Sequence, residues 1–255
     1  MLFRSTTNDA SSDYNSLQVK FDRKLSHGVQ VLGTYTWSHA IDNATTNFTI
    51  FELERAPSDY DIRNNFQAAV SYDLGGTYSN PFVRYALTHW SFDARVSARS
   101  ALPVDITQGQ TVDPTNGATT SYHPNRVPNQ PLYIRDSTVP SGREINYLAF
   151  SDVPTTSSVD GNAGRNIARG YDAVQADLTL RRDFPITERV GVQFRAEAYN
   201  IFNHPIFGNV YNQTTVGPTI FGQAYNTESS ELGGLSSIYQ VGGPRSMQVS
   251  LKLHF

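Results

Sequence analysis

The chain has 255 residues, no cysteine and a formal net charge of -3 at neutral pH. It can therefore hold no disulfide and no thiolate metal site, and its negative balance argues against a nucleic-acid partner. Only 38% of its residues are hydrophobic although tyrosine and phenylalanine abound, and no window approaches the roughly 18 consecutive apolar residues of a membrane helix, which excludes helical crossing and leaves crossing by strands open.

Residues 1–12 are expected to be a disordered or truncated start, because Met1 to Thr6 lacks the charged and apolar regions of a secretory signal. From Tyr14 to Leu25 the pattern alternates. Leu17, Val19, Phe21 and Leu25 share one face, Gln18, Lys20, Asp22 and Lys24 the other, and Arg23 is the single breach. Period-two alternation predicts a strand over 14–25. The turn Ser26-His27-Gly28 leads into a second strand over 29–40, with Val29, Val31, Gly33, Tyr35 and Trp37 on one face, and the two form a hairpin.

A polar stretch from about Ile41 to Ile62 precedes a strand over 63–74, where Phe66, Ala68, Val70, Tyr72 and Leu74 alternate with polar or small residues until Gly75-Gly76 ends it. A connection near Thr77 to Thr88 leads to a strand over 89–107, carried by Trp90, Phe92, Ala94, Val96 and Ala98, with pairing resuming through Val104 and Ile106. Prolines at 114, 124, 128, 131, 140 and 154 forbid long regular elements between about Gln108 and Gly170. Strands are then expected over 171–182 and 189–202, joined by a short turn at Pro185 to Glu188. A second irregular stretch, about His204 to Arg245, contains a possible short strand near Leu235 to Gln240, and the last strand runs over 246–255.

The connections alternate short and long, so every long one falls on the same edge of an antiparallel up-and-down meander. Short turns on one side and long loops on the other are the asymmetry of a transmembrane β-barrel. If the apolar face meets lipid, Tyr35, Trp37 and Phe66 form an outer aromatic girdle, and Tyr72, Trp90 and Phe184, with Phe255, an inner one. Asp93, Arg95, Asp177, Arg181, Arg195, Glu197 and Lys252 share the opposite phase and are expected to face the lumen. About seven long strands fall short of the even number, at least eight, used by single-chain bacterial barrels, so part of a larger barrel is expected. The runner-up is a secreted or surface β-sandwich binding carbohydrate or protein, whose two apolar faces would meet each other. A small complete porin- or adhesin-like barrel, using the strand near 235–240, is a third reading.

No phosphate-loop, dinucleotide, zinc-protease or serine-hydrolase motif occurs, and no catalytic residue, cofactor or metal is expected. The six histidines are scattered without ligand spacing, and Asp152 to Asn162 lacks the alternation of a calcium loop. Arg55, Asp59, Asp61 and Arg63 could bind a ligand at the barrel mouth, but salt bridges that shape a loop are the stronger expectation.

Several stretches carry a resemblance: Tyr14 to Val19, Tyr35 to Asp42, Arg55 to Arg63, Gly161-Asn162-Ala163-Gly164-Arg165-Asn166, and Phe194 to Pro205. With the last strand they resemble the carboxyl-terminal barrel region of the Oar-like TonB-dependent receptors, over nearly the whole chain from Asp13. The resemblance implies a bacterial outer-membrane barrel of about twenty-two strands around a plug. It implies import of a scarce extracellular ligand with energy relayed by TonB, here only through the missing plug region. It also implies that Val249, Leu251, Leu253 and Phe255 form the signal read by the barrel-assembly machinery. Outer-membrane lipid, that machinery and an unknown extracellular ligand are thus the expected partners.

Overall fold

The structure is a computed structural model that describes residues 10–43, 54–76, 79–112, 117, 119–139, 142–154, 160–231 and 242–255. Its frame is seven long strands, β1 (Ser12–Ser26), β2 (Val29–Asp42), β3 (Asn64–Leu74), β4 (Trp90–Arg99), β5 (Ala173–Pro185), β6 (Gly191–Tyr199) and β7 (Ser246–His254). Each is antiparallel to its sequence neighbour, in the order β1 to β7, and among the described residues the sheet is not closed. All have at least 9 residues, about what a tilted strand needs to cross a bilayer.

Local chemistry sets the turns. At the β1–β2 hairpin both central residues have positive φ, His27 at 53° and Gly28 at 78°, the geometry whose twist matches the flanking strands. A Cβ on Gly28 would lie 2.5 Å from the Asp73 carbonyl oxygen, so glycine lets β3 approach the turn closely. Between β5 and β6 the Ile186 and Thr187 amides both donate to the Val190 carbonyl at 2.9 Å.

The register then aligns the faces. Val19, Tyr35, Phe66, Ala98 and Val174 stand in one row across β1 to β5. Two rows nearer the turns come Val31, Val70, Ala94, Leu178, Ala198 and Met247. Below these lie Val29, Tyr72, Phe92, Leu180, Ala196 and Val249, then Leu74, Trp90, Arg182, Phe194 and Leu251. The aromatics thus fall in rows at both ends, with Gly33, Ala68, Val96 and other aliphatic residues between. Arg23, the breach noted in the sequence, faces Val31 on the edge strand beside a register irregularity.

This apolar face is uncovered. Met247, Val249 and Leu251 are 68%, 66% and 72% exposed, whereas Ser246, Gln248 and Ser250 between them are only partly exposed. A sandwich would press such a face against a second sheet. Here no described residue covers it, and the sandwich reading fails on that ground.

The buried core lies elsewhere. Ile106, Ile145, Phe150, Tyr171, Val210 and Phe221 pack together in the long loops, with Phe221 edge-on to Tyr147 and Phe150 at 5.5 and 5.8 Å. The Pro-rich stretch is therefore a folded cap, stitched by two- and three-residue strand pairs such as Tyr133–Arg135 with Arg143–Ile145. Gly222 (φ 79°) seats it: a Cβ there would lie 2.3 Å from the Ile145 carbonyl oxygen.

Several sequence expectations shift. The fourth strand ends at Arg99 rather than 107, because Pro103–Val104 leaves the sheet to pair with Ala168–Arg169, and Ile106 is buried in the cap. The connection near 77–88 holds a helix, α1 (Pro81–Leu87). The last strand ends at His254, opposite Gly191, and Phe255 follows it unpaired. The strand near 235–240 and residues 1–9 of the start lie outside the described residues.

The face assignment has a sharp consequence. Val70→Lys, in the middle of the apolar face, is expected to cost about 2–4 kcal/mol of folding free energy in vesicles, while Ser71→Lys, beside Asp93 on the other face, costs little. Equal effects in urea titrations would refute the assignment.

Candidate functional site

The polar face carries an ordered charge pattern. Arg181 and Arg195 stand directly opposite each other, an unfavourable pairing unless each is neutralised. Asp93 takes Arg181 at 2.8 Å and Glu197 takes Arg195 at 2.6 Å. Arg95 faces Asp177 in the next row, and Lys252 faces Gln193 near the turns. Ser71 donates to Asp93 at 2.7 Å. The register thus puts all seven expected lumen charges on one face, opposite Tyr35, Trp37, Phe66, Tyr72, Trp90 and Phe184.

At the other end of the strands from the turns, the loop after β2 and the long loop after β4 meet the end of β2 at Asp61, whose side chain has no exposed surface. Its carboxylate accepts the Ala40 amide at 2.7 Å and Arg63 Nε at 2.8 Å, faces His39 Nδ1 at 3.2 Å and pairs with Arg169. Burial pushes the carboxyl pKa up, but Arg169, the Ala40 amide and His39 outweigh it and hold the group below its ordinary value. Arg165, also buried, donates to the Asp42 carbonyl and carboxylate at 2.7 and 2.8 Å, and its own amide donates to Glu54 at 2.8 Å. Asn166 donates to the Pro57 carbonyl and to Asp59 at 2.8 and 2.7 Å.

The cluster of Arg55, Asp59, Asp61 and Arg63 therefore shapes loops. Arg55 does not join the others, since it pairs with Asp13 on β1. Missing from the sequence reading of that cluster were its partners Arg165 and Arg169. The segment Gly161 to Asn166 was singled out only by resemblance, and nothing local ties it to residues more than a hundred positions earlier.

A second buried knot joins His123 to Asp160 (Nδ1, 2.6 Å) and Asp105 (Nε2, 3.1 Å). Both ring nitrogens face carboxylates, so the ring is the doubly protonated cation. Burial by itself would lower its pKa, yet the two carboxylates raise it to about 10. Asp160 serves here rather than in a calcium loop.

Between these knots opens a cleft of about 470 Å³, walled by Arg99, Asp105, Tyr171, Phe207, Tyr225 and Glu228. Arg99 pairs with one Glu228 oxygen, and the other is buried without a hydrogen-bond partner among the described residues. The cleft thus mixes aromatic walls with charged side chains.

An antiparallel sheet with its apolar residues outside, its charges on the other face and its long loops folded over one end is a membrane-spanning β-structure. The sequence model of the family described as an outer membrane beta barrel domain matches residues 2–248, and the chain belongs to that family. This places it in the bacterial outer membrane, with the short turns on the periplasmic side. No curated protein and no solved structure matches the chain.

Two outcomes follow for the knots. Asp61→Asn removes a buried anion shared by the half-buried Arg63 and Arg169 and is expected to destabilise the cap's attachment by about 1–3 kcal/mol, read as faster amide exchange around 39–63 and 165–169. The depressed Asp61 pKa stabilises the fold above the ordinary carboxyl value and ceases to do so as pH falls through the folded value. His123 has the opposite sign: its contribution is complete below about pH 6.5 and is lost as pH rises through about 10. Cap melting followed by near-ultraviolet circular dichroism should show that alkaline loss, and His123→Gln should lack it.

Proposed function

We propose that the chain forms part of the barrel of an Oar-like TonB-dependent receptor that takes up a scarce extracellular ligand. The observation that carries this reading is the open sheet. Among the described residues, seven strands long enough to cross the membrane leave β1 and β7 each with one unpaired edge, and in hydrocarbon an unpaired backbone group costs several kcal/mol. Further strands must close the wall, and a wall of many strands encloses a lumen wide enough for a plug.

The charged face is suited to that setting, since a plug can be held by ion pairs and bridging water. The folded cap favours a receptor over a passive pore: long loops built around a buried core present a fixed surface at the mouth, and the cleft beside Glu228 offers a place for ligand.

The coding DNA upstream of Met1 tests the reading. An in-frame plug, TonB-contacting segment and export signal are the expected finding. A promoter and an in-frame stop directly before Met1 would overturn it and leave a small barrel of porin or adhesin type, whose solute conductance in planar bilayers would then be measurable.

A further inference from the structure

The helix α1, in the periplasmic connection between β3 and β4, begins on a cap in which the Asn80 side chain accepts the Phe82 and Val83 amides at 2.9 and 3.4 Å, with Pro81 at the first helical position. Seven residues are too few for a helix to persist in water by itself. Yet α1 buries none of its residues in the protein: Phe82 is 86% and Tyr85 70% exposed, with Val83 and Leu87 also open.

Its attachment shows which side of the wall it occupies. Trp90 Nε1 donates to the Ala86 carbonyl at 2.9 Å, and Arg182 donates to the Tyr85 carbonyl. Trp90 and Arg182 share one row of the apolar face, and Phe184 stands in the next row toward the turns. The helix is thus fastened to the lipid-facing side, not to the lumen. Arg182, a cation on that face, is held among aromatic rings, its guanidinium 5.2, 5.0 and 4.5 Å from the centroids of Tyr85, Trp90 and Phe184. Beside it is a cleft of about 530 Å³ whose walls include Arg84, Thr88, His89, Arg182, Asp183 and Ile186. Asp183 is engaged by Gln193, which donates to it at 2.9 Å. Arg84 is exposed, with no ion pair or hydrogen bond to its guanidinium among the described residues.

We propose that α1 is an interfacial foot lying on the periplasmic leaflet, with Phe82 and Tyr85 at the acyl–headgroup boundary and Arg84 and Arg182 receiving a phospholipid phosphate. The apolar face continues from Trp90 and Phe184 onto the helix without a break, so the lipid that covers one covers the other. Arginine beside aromatic side chains at that depth matches a phosphate in charge and in donor geometry.

The chain lacks cysteine, so single labels can be placed on it as F82C, L253C and Y60C and read in phospholipid vesicles carrying a nitroxide-labelled lipid. Tyr60, exposed in the loop at the far end of the strands, is the aqueous control. Lipid quenching at F82C and L253C, several-fold above that at Y60C, is the expected result. Quenching at L253C but not at F82C overturns the foot, whether the F82C label is wet or shielded by a protein contact. Absence at both sites overturns the membrane placement of the face itself, and the foot with it. For the phosphate, F82C quenching should be stronger in phosphatidylglycerol than in phosphate-free galactolipid vesicles, and R84E should reduce that difference. No dependence on phosphate, or none on R84E, overturns the headgroup assignment.

Discussion

The wall on which the rest of this molecule is built depends on backbone pairing in a medium without water. A strand in hydrocarbon must satisfy every amide and carbonyl through its neighbours, and the antiparallel ladder from β1 to β7 does so while fixing which side chains stand together. Because side chains alternate with period two, one register decision commits a whole strand: slipping β5 by a single residue against β4 would turn Arg181 to lipid and Leu180 to the charged face. The opposed Arg181 and Arg195, neutralised by Asp93 on the neighbouring strand and by Glu197 two positions along the same strand, show that the register also has to suit the charges.

The cap answers to a different physics. It has water around it, so it folds by burying Ile106, Phe150, Tyr171 and Phe221 away from solvent. What joins it to the sheet is largely ionic and amide chemistry. Arg165 and Arg169 reach from one loop to Asp42 at the end of β2 and to Asp61 in another loop, and Asn200 at the end of β6 donates to the His204 and Gly243 carbonyls at 2.9 and 2.8 Å. The stretches Arg55 to Arg63, Gly161 to Asn166 and Asn200 to His204 are thus the seams of the molecule. Their chemistry is specific because each buried charge must find its counterpart, and removing one partner strands the other.

The strands were legible in the sequence because alternation is a local property, readable from five or six residues at a time. So was which side chains share a face, since phase along a strand follows from phase at any one position. The cap was not legible. Its contacts, such as Asp61 with Arg169, cross 108 positions, and nothing periodic links them. Arg182 was overlooked for another reason: Arg181-Arg182-Asp183 reads as a polar strand end, although Leu180 and Phe184 put Arg182 in the apolar phase. The helix α1 did leave a sign in Asn80-Pro81, a capping residue followed by proline, but it is too short for its apolar spacing to register against the strands on either side.

The two ends of the wall follow from the same constraint met in opposite ways. At the mouth, long loops can build a core of their own because they have the length to bury side chains against one another. In the periplasmic turns there is no such length, so Phe82, Tyr85 and Trp90 can escape water only at the membrane surface. Arg182 fits this division. A guanidinium on the apolar face would be costly at mid-bilayer, but one row from the turns it is held among the rings of Tyr85, Trp90 and Phe184 close to the interface. The same side chain that breaks the apolar pattern therefore marks where hydrocarbon ends.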